Sequence, residues 1–127
     1  MNSAQRPVVL RYHHVGIPTT KELPEEDYVP QYKLYASGYM DSLYGIEWMK
    51  FDPGCPLPDL VKTVPHVAFV VSDISEAIRG KEILIAPNSP SEGVTVAFII
   101  DNGAPIEFLH FNRPEDEIWP PGAKFRT

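Results

Sequence analysis

The sequence predicts an α+β domain made of two similar halves, and three observations support this. Each half opens on a His-Val strand, at His14 and His66, and closes on an Ile-Glu-aromatic-apolar-x-Phe strand, at 46–51 and 106–111. Such an internal repeat determines the architecture of a chain. The second half follows the pattern β-α-β-β-β, and 14 prolines with 8 glycines cut the chain into pieces too short for long helices. We therefore expect one domain over residues 1–127, with a first module at about 8–52, a second at about 64–111 and a tail at 112–127.

The first module is predicted to consist of strands separated by an irregular segment. Val8–Ile17 and Gly45–Phe51 are predicted strands, and the tyrosine-rich segment Gln31–Tyr39 is a third candidate strand. Thr19–Pro30 is acidic and contains two prolines, so we expect a loop with at most one helical turn. The proline-rich segment Asp52–Lys62 is predicted to link the two modules.

The second module shows clearer signals for each element. The strand His66–Ser72 is followed by Asp73, a helix N-cap with Glu76 as its capping-box partner. The short helix runs to about Arg79, and Gly80 suits its C-terminus. The remaining segments are predicted in the following order: strand Glu82–Ala86, loop Pro87–Gly93, strand Val94–Ile100, a tight turn at 101–103, strand Pro105–Phe111, and an extended tail Asn112–Thr127 over the surface.

The closing strand of each module carries a glutamate on an otherwise apolar face. Side chains alternate across a strand with a period of two. The shared faces are Glu47, Met49 and Phe51 in the first module, and Glu107, Leu109 and Phe111 in the second. Charged side chains are seldom placed on apolar faces unless they are paired or bind metal. Two equivalent glutamates therefore indicate a buried polar site.

The histidines that open the modules complete a candidate metal site. His14, Glu47, His66 and Glu107 form a His₂Glu₂ set, which suits a divalent transition ion such as Zn, Ni, Co, Mn or Fe. By the same alternation, His13 faces away from His14 and His110 faces away from Glu107, so both are left out of the site. Glu107 is the first candidate for a catalytic base and Glu47 its pseudo-symmetric rival.

These residues resemble the vicinal oxygen chelate superfamily, which contains glyoxalases, bleomycin-resistance proteins and dioxygenases. The resemblance covers about Tyr12 to Phe111 and is strongest in Val64–Phe111. It implies paired β-α-β-β-β modules that form a curved mixed sheet with a central cleft. It also implies a metal held by His14, Glu47, His66 and Glu107, an order most similar to bacterial glyoxalase I. Members of the superfamily commonly form homodimers, so a homodimer is expected here as well.

The first module departs from that family pattern. Glyoxalase I usually carries a glutathione-binding arginine four residues after the first histidine, where this chain has Pro18. The helix expected after the first strand is replaced by Thr19–Pro30. Both departures argue against glutathione as a cosubstrate. Five tyrosines fall between Tyr28 and Tyr44, and we expect most of them to pack within the sheet.

Composition narrows the class of protein further. The net charge of -6 argues against nucleic acid as a partner, because nucleic-acid binding requires a basic face. The sequence contains neither a signal peptide nor an apolar run long enough to span a membrane, so no membrane association is expected. Cys55 is the only cysteine, which excludes an intramolecular disulfide. A cytoplasmic location is expected.

Three functions are compatible with these residues. The first is a metal-dependent lyase or isomerase that acts on a small hydroxy-carbonyl or related oxygenated substrate through an enediolate-type intermediate. The second is an Fe(II) extradiol-type dioxygenase with His14 or His66 and Glu107 in a facial triad. The third is a non-enzymatic small-molecule binding or resistance protein, whose superfamily counterparts usually lack the ligand set.

Overall fold

The computed structural model describes residues 8–23 and 27–119. Eight strands form one mixed sheet. They are β1 (Arg11–Pro18), β2 (Asp27–Val29), β3 (Leu34–Ser37), β4 (Ile46–Phe51), β5 (His66–Val70), β6 (Glu82–Ser91), β7 (Val94–Asp101) and β8 (Ala104–Phe111). Three short α-helices accompany them: α1 (Asp59–Thr63), α2 (Ile74–Ile78) and α3 (Glu115–Ile118), with a 3₁₀ turn at Tyr39–Asp41. The α+β class is therefore confirmed.

The order of the strands makes the internal repeat visible as a pseudo-two-fold arrangement. The sheet order is β2-β3-β4-β1-β5-β8-β7-β6. The two opening strands, β1 and β5, pair antiparallel at the centre, and each pairs in parallel with the closing strand of its own module. The twist of a mixed sheet this wide curls it into a half-barrel with a concave face.

The register of the four central strands aligns small residues with the predicted polar ones. Gly16 of β1 lies opposite Glu47 of β4 on one side and His66 of β5 on the other. Ala68 of β5 lies opposite Glu107 of β8 on one side and His14 of β1 on the other. Each opening strand thus carries the sequence His-x-small, and its small residue separates the histidine of the other module from the glutamate of its own.

Apolar clusters cover both faces of the second module. On the outer face, Ile74 and Ala77 of α2 pack against Ile99 and Phe108. On the concave face, Leu109 and its neighbours pack beneath Trp119, which follows α3. A third cluster, formed by Val29, Leu34, Ala36 and Met49, lies on the concave face of the first module. The two concave clusters flank the four central strands where the predicted site lies.

The second module matches the predicted order, with one strand longer than expected. The side chain of Asp73 accepts a hydrogen bond from the backbone N–H of Glu76, as the N-cap prediction requires. Asn102 and Gly103 form the predicted tight turn, both with positive φ (51° and 79°). The predicted loop Pro87–Gly93 is wrong, because β6 continues to Ser91. Strand β6 lies at the edge of the sheet, and its pairing with β7 shifts register three times. Each shift marks a bulge or irregularity, and an irregular edge strand can accommodate prolines.

The short elements outside the second module were predicted less well. The strand β2 lies within the predicted loop Thr19–Pro30, whose residues 24–26 fall outside the described part of the chain. Helix α1 interrupts the predicted linker Asp52–Lys62. The tail is not simply extended, because it forms α3 and buries Trp119, which is 4% exposed. Residues 120–127 lie outside the described residues. These elements span only three to five residues, too few for a periodic pattern to appear.

Membrane-spanning helices are absent from residues 8–23 and 27–119, where even the longest helices have five residues.

Removing the N-cap of α2 tests how much this hydrogen bond contributes to the free energy of unfolding. We expect Asp73→Ala to lower the free energy of unfolding by about 1 kcal/mol, because the N–H of Glu76 loses its acceptor. Asp73→Asn should retain most of the stability, since asparagine is an equally good N-cap. Urea denaturation of the three proteins measures the difference. Equal stability of the alanine and asparagine variants would contradict this role.

Candidate metal centre

The four predicted site residues are all buried on the concave face of the sheet. His14, Glu47, His66 and Glu107 are 5%, 6%, 2% and 7% exposed, respectively. They come from β1, β4, β5 and β8, the four central strands, because the register described above aligns those strands at Gly16 and Ala68. The alternation of side chains along β4 and β8 is therefore as predicted from the sequence.

Three of the four side chains converge on one point. Nε2 of His66 lies 3.1 Å from Oε1 of Glu107, and Nε2 of His14 lies 3.3 Å from the same oxygen. The possible ligand atoms of these three residues all lie within 4.8 Å of one another. Glu47 stands beside this group, with its Oε1 3.6 Å from Nε2 of His14. The structure thus brings all four residues together, with Glu47 at the longest distance.

The environment of Glu107 keeps its carboxyl group ionised. Burial alone would raise the pKa of this group. Hydrogen bonds and charge interactions with His14 and His66 outweigh the burial and lower the pKa to about 2. Glu107 is therefore a carboxylate over the whole neutral range, which is the form that binds a cation or accepts a proton.

A small, mostly apolar cavity adjoins these residues. Its free volume is ≈ 50 Å³, room for only a few water molecules. The four polar residues line one part of it, and the apolar remainder includes Val29, Leu34, Met49, Ile85, Phe98 and Leu109. No lysine or arginine of the described residues lines this cavity. His14 and His66 are therefore the basic side chains that face the two carboxylates within the described lining of the cavity.

These features fit a divalent cation. Two ligands that each lie about 2.1 Å from one ion, at angles between square and tetrahedral, are about 3.0–3.4 Å apart. The separations of 3.1 and 3.3 Å within the group agree with that spacing. A divalent ion would also match the negative charge that two buried carboxylates bring to the site. Moreover, Nδ1 of His66 is buried and has no hydrogen-bond partner among the described residues. The described side chains of the site therefore do not satisfy all of its polar atoms.

His13 does not face away from the site, which corrects the interpretation of the sequence. From Tyr12 to His14 the chain of β1 advances two residues while its partner β5 advances one, so His13 is the extra residue of a bulge and the alternation breaks there. Both histidine rings are buried, and their Nδ1 atoms lie 2.7 Å apart. A bulge of one residue leaves no trace in a hydrophobic pattern, so sequence reasoning missed this neighbour. His110, in contrast, is bonded through Nδ1 to the carbonyl of Val71, away from the site.

One of the five tyrosines contributes to the cavity. Tyr32 lines it and donates a short hydrogen bond to the side chain of Asn88 in β6. Burial and the charge of Glu107 raise the pKa of Tyr32, which keeps its hydroxyl protonated. A contact between Gln31 and the carbonyl of Ser89, 3.4 Å long, joins the same two segments. The segment after β2 and the edge strand β6 thus meet beside the cavity.

Gly16 allows the ring of His66 to lie across β1. A Cβ atom at this position would lie 2.3 Å from Cε1 of His66, far inside contact distance, and the ring is too buried to move freely. We expect Gly16→Ala to lower the free energy of unfolding by about 1–3 kcal/mol through overpacking and to weaken binding of divalent metal by displacing His66. Chemical denaturation and calorimetric metal titration measure the two effects.

Gly54→Ala is the matched control for Gly16→Ala. A Cβ atom at position 54 meets only the side chain of Lys33 at an ordinary 3.8 Å, so this variant should behave like the wild type. If Gly16→Ala matched Gly54→Ala in both stability and metal affinity, the packing of His66 against Gly16 would not shape the site.

Comparisons with known proteins reveal similarity in structure but not in sequence. No protein-family model matches the chain, and no curated protein matches it in sequence. A hypothetical protein, BH1468 from Bacillus halodurans C-125, superposes with a TM-score of 0.61 at 18% identity, over 83% of this chain and 96% of that one. The methylmalonyl-CoA epimerase of Mycobacterium tuberculosis superposes with a TM-score of 0.58 at 18% identity, over 83% of this chain and 89% of that one.

The epimerase is a member of the vicinal oxygen chelate superfamily, and its likeness extends over most of both chains. The resemblance in sequence implied a curved mixed sheet built from two modules, and the eight-stranded sheet curls into such a half-barrel. The chain has the fold of the vicinal oxygen chelate superfamily.

Proposed function

We propose that this protein is a metal-dependent isomerase or lyase acting on a small hydroxy-carbonyl or related oxygenated substrate. The observation that carries the proposal is the convergence of His14, His66 and Glu107 in the lining of a mostly apolar cavity. The three would hold a divalent transition ion, and Glu47 would be its fourth ligand. When bound, such an ion would polarise a carbonyl or hydroxyl oxygen of the substrate and so favour an enediolate-type intermediate.

The protein's own residues would handle the proton. Glu107 faces the cavity, and it would accept a proton from a carbon next to a carbonyl group only after leaving the ion and the histidines that lower its pKa. Glu47, which lines the same cavity, is the alternative base. Return of the proton to the opposite face of the same carbon, or to the neighbouring carbon, makes the reaction an isomerisation, whereas loss of a group from the neighbouring carbon makes it a lyase reaction. The fold shared with a methylmalonyl-CoA epimerase supports the first of these outcomes.

The volume and the lining residues of the cavity favour a small substrate with little negative charge. Its volume of ≈ 50 Å³ admits only a few non-hydrogen atoms, and no lysine or arginine among its described lining residues can pair with a phosphate or a remote carboxylate. A long anionic group would therefore have to remain outside. Pro18 at the place of the glutathione-binding arginine argues in the same direction.

Metal binding is the first test. Protein purified without a histidine tag should hold one divalent transition ion per chain, and His66→Ala and Glu107→Ala should each lower its affinity more than the 10- to 100-fold that loss of a supporting residue typically costs. His110→Ala is the matched control, because it removes a histidine bonded away from the site. Elemental mass spectrometry and calorimetry measure the content and the affinity. If the wild type held no more metal than His66→Ala, before and after reloading, the proposed site would be wrong.

Proton exchange is the test of the chemistry. With small hydroxy-carbonyl compounds in D₂O, the metal-loaded protein should introduce deuterium at the carbon next to the carbonyl, detected by proton NMR. Glu107→Gln should slow the exchange by about 10²–10⁴-fold, the usual contribution of a general base, and comparison with Glu47→Gln identifies which glutamate takes the proton. Glu82→Gln, an exposed change on β6, is the control. Absence of exchange with every compound would contradict an isomerase or lyase.

The two other functions predict different results in the same preparations. An Fe(II) extradiol-type dioxygenase, with two histidines and Glu107 around the iron, would consume oxygen with catechols. A binding protein without catalysis would keep its ligand affinity in Glu107→Ala.

The homodimer expected from the resemblance stays a prediction, as does the cytoplasmic location. Cys55 is buried and unpaired.

A further inference from the structure

A chain of hydrogen bonds leads from the candidate metal centre to the surface through residues outside the proposed ligand set. His14 faces the glutamates of the centre with Nε2, and its Nδ1 lies 2.7 Å from Nδ1 of His13. Nε2 of His13 lies 2.9 Å from Oε2 of Glu115 and 2.8 Å from the hydroxyl of Tyr39. The hydroxyl of Tyr39 also donates to Oε2 of Glu115, over 3.0 Å.

The chemistry of these groups determines where the protons lie. A carboxylate only accepts hydrogen bonds, so Nε2 of His13 donates to Glu115. A neutral imidazole has one donor and one acceptor nitrogen, so Nδ1 of His13 accepts. Nδ1 of His14 must then donate to it. Nε2 of His14 faces the carboxylate of Glu107 across 3.3 Å, and a cation bound at this nitrogen would displace the proton of that contact.

The fold holds Glu115 in this place although it lies 102 residues from His13 in sequence. Helix α3 packs closely on the start of β7, where Gly93 leaves no space for a Cβ atom beside Ile118. Trp119 closes the helix and is buried against the concave cluster. The ring of His13 stacks on that of Tyr39 with centroids 4.8 Å apart, which fixes its orientation. Contacts with His13 and Tyr39 outweigh the burial of Glu115 and lower its pKa, consistent with an acceptor.

We propose that His13, Tyr39 and Glu115 are positioning residues that hold His14 in the tautomer protonated at Nδ1, so that Nε2 is available for a divalent cation. Metal-ligating histidines commonly donate their second ring N–H to such a partner, which fixes the ring and raises its basicity. The inference rests on the proposed metal centre. Its particular feature is that the partner is a second histidine, oriented in turn by a carboxylate from the C-terminal helix.

The first experiment needs no metal. In metal-free protein labelled with ¹⁵N-histidine, long-range proton–nitrogen NMR should show His14 protonated at Nδ1. Glu115→Gln should reduce the share of His14 that carries this proton, whereas Glu117→Gln, which removes the same charge from an exposed position of the same helix, should leave the spectrum unchanged. Absence of a proton from Nδ1 of His14 in the wild type would overturn the proposal.

The second experiment measures the consequence for metal. Calorimetric titration with Co(II) should show about tenfold weaker binding to Glu115→Gln and unchanged binding to Glu117→Gln. His13→Asn, which retains an acceptor near the position of Nδ1, should bind more tightly than His13→Leu. Equal affinities of the two glutamate variants would overturn the positioning role. If the wild type bound no divalent ion, the metal centre itself would fail, while the NMR experiment would still decide whether His13 and Glu115 fix the tautomer of His14.

Discussion

The register between the two opening strands is the constraint on which the site depends. Antiparallel pairing places Gly16 opposite His66 and His14 opposite Ala68. The parallel pairs then bring Glu47 and Glu107 to those same small residues. A shift of one residue in the central pair would turn the histidine of the shifted strand to the outer face, because side chains alternate with a period of two. The pseudo-symmetry of the fold thus brings four polar side chains that are far apart in sequence together on the concave face of the sheet.

The two halves of the molecule have diverged in different ways around this common centre. The second module keeps a regular helix, α2, on its outer face, and its strands follow their sequence signals closely. In the described part of the first module, short strands and a 3₁₀ turn take the place of that helix. Tyr32 reaches the cavity from the first module and bonds to Asn88 of the second. The contacts most suited to selecting a substrate therefore lie where the repeat is least regular.

Sequence reasoning located the polar side chains well where strands were regular, and failed where they were not. Alternation along β4 and β8 was enough to place Glu47 and Glu107 on the concave face, because neither strand shows a bulge in its pairing with its neighbours. It failed at His13, since the extra residue of a bulge inverts the alternation without changing the pattern of residue types. It also could not foresee Glu115, whose place is set by the packing of a four-residue helix against Gly93. Local signals specify elements, whereas such contacts are specified only by the assembled fold.

A crystal of the protein grown with a divalent transition ion tests the central claim most directly. The anomalous difference map should contain a peak enclosed by the side chains of His14, His66 and Glu107, with Glu47 beside it. The same map from Glu107→Ala crystals should show that peak weakened or lost. An empty concave face in ion-loaded wild-type crystals, or an undiminished peak in the variant, would contradict the account.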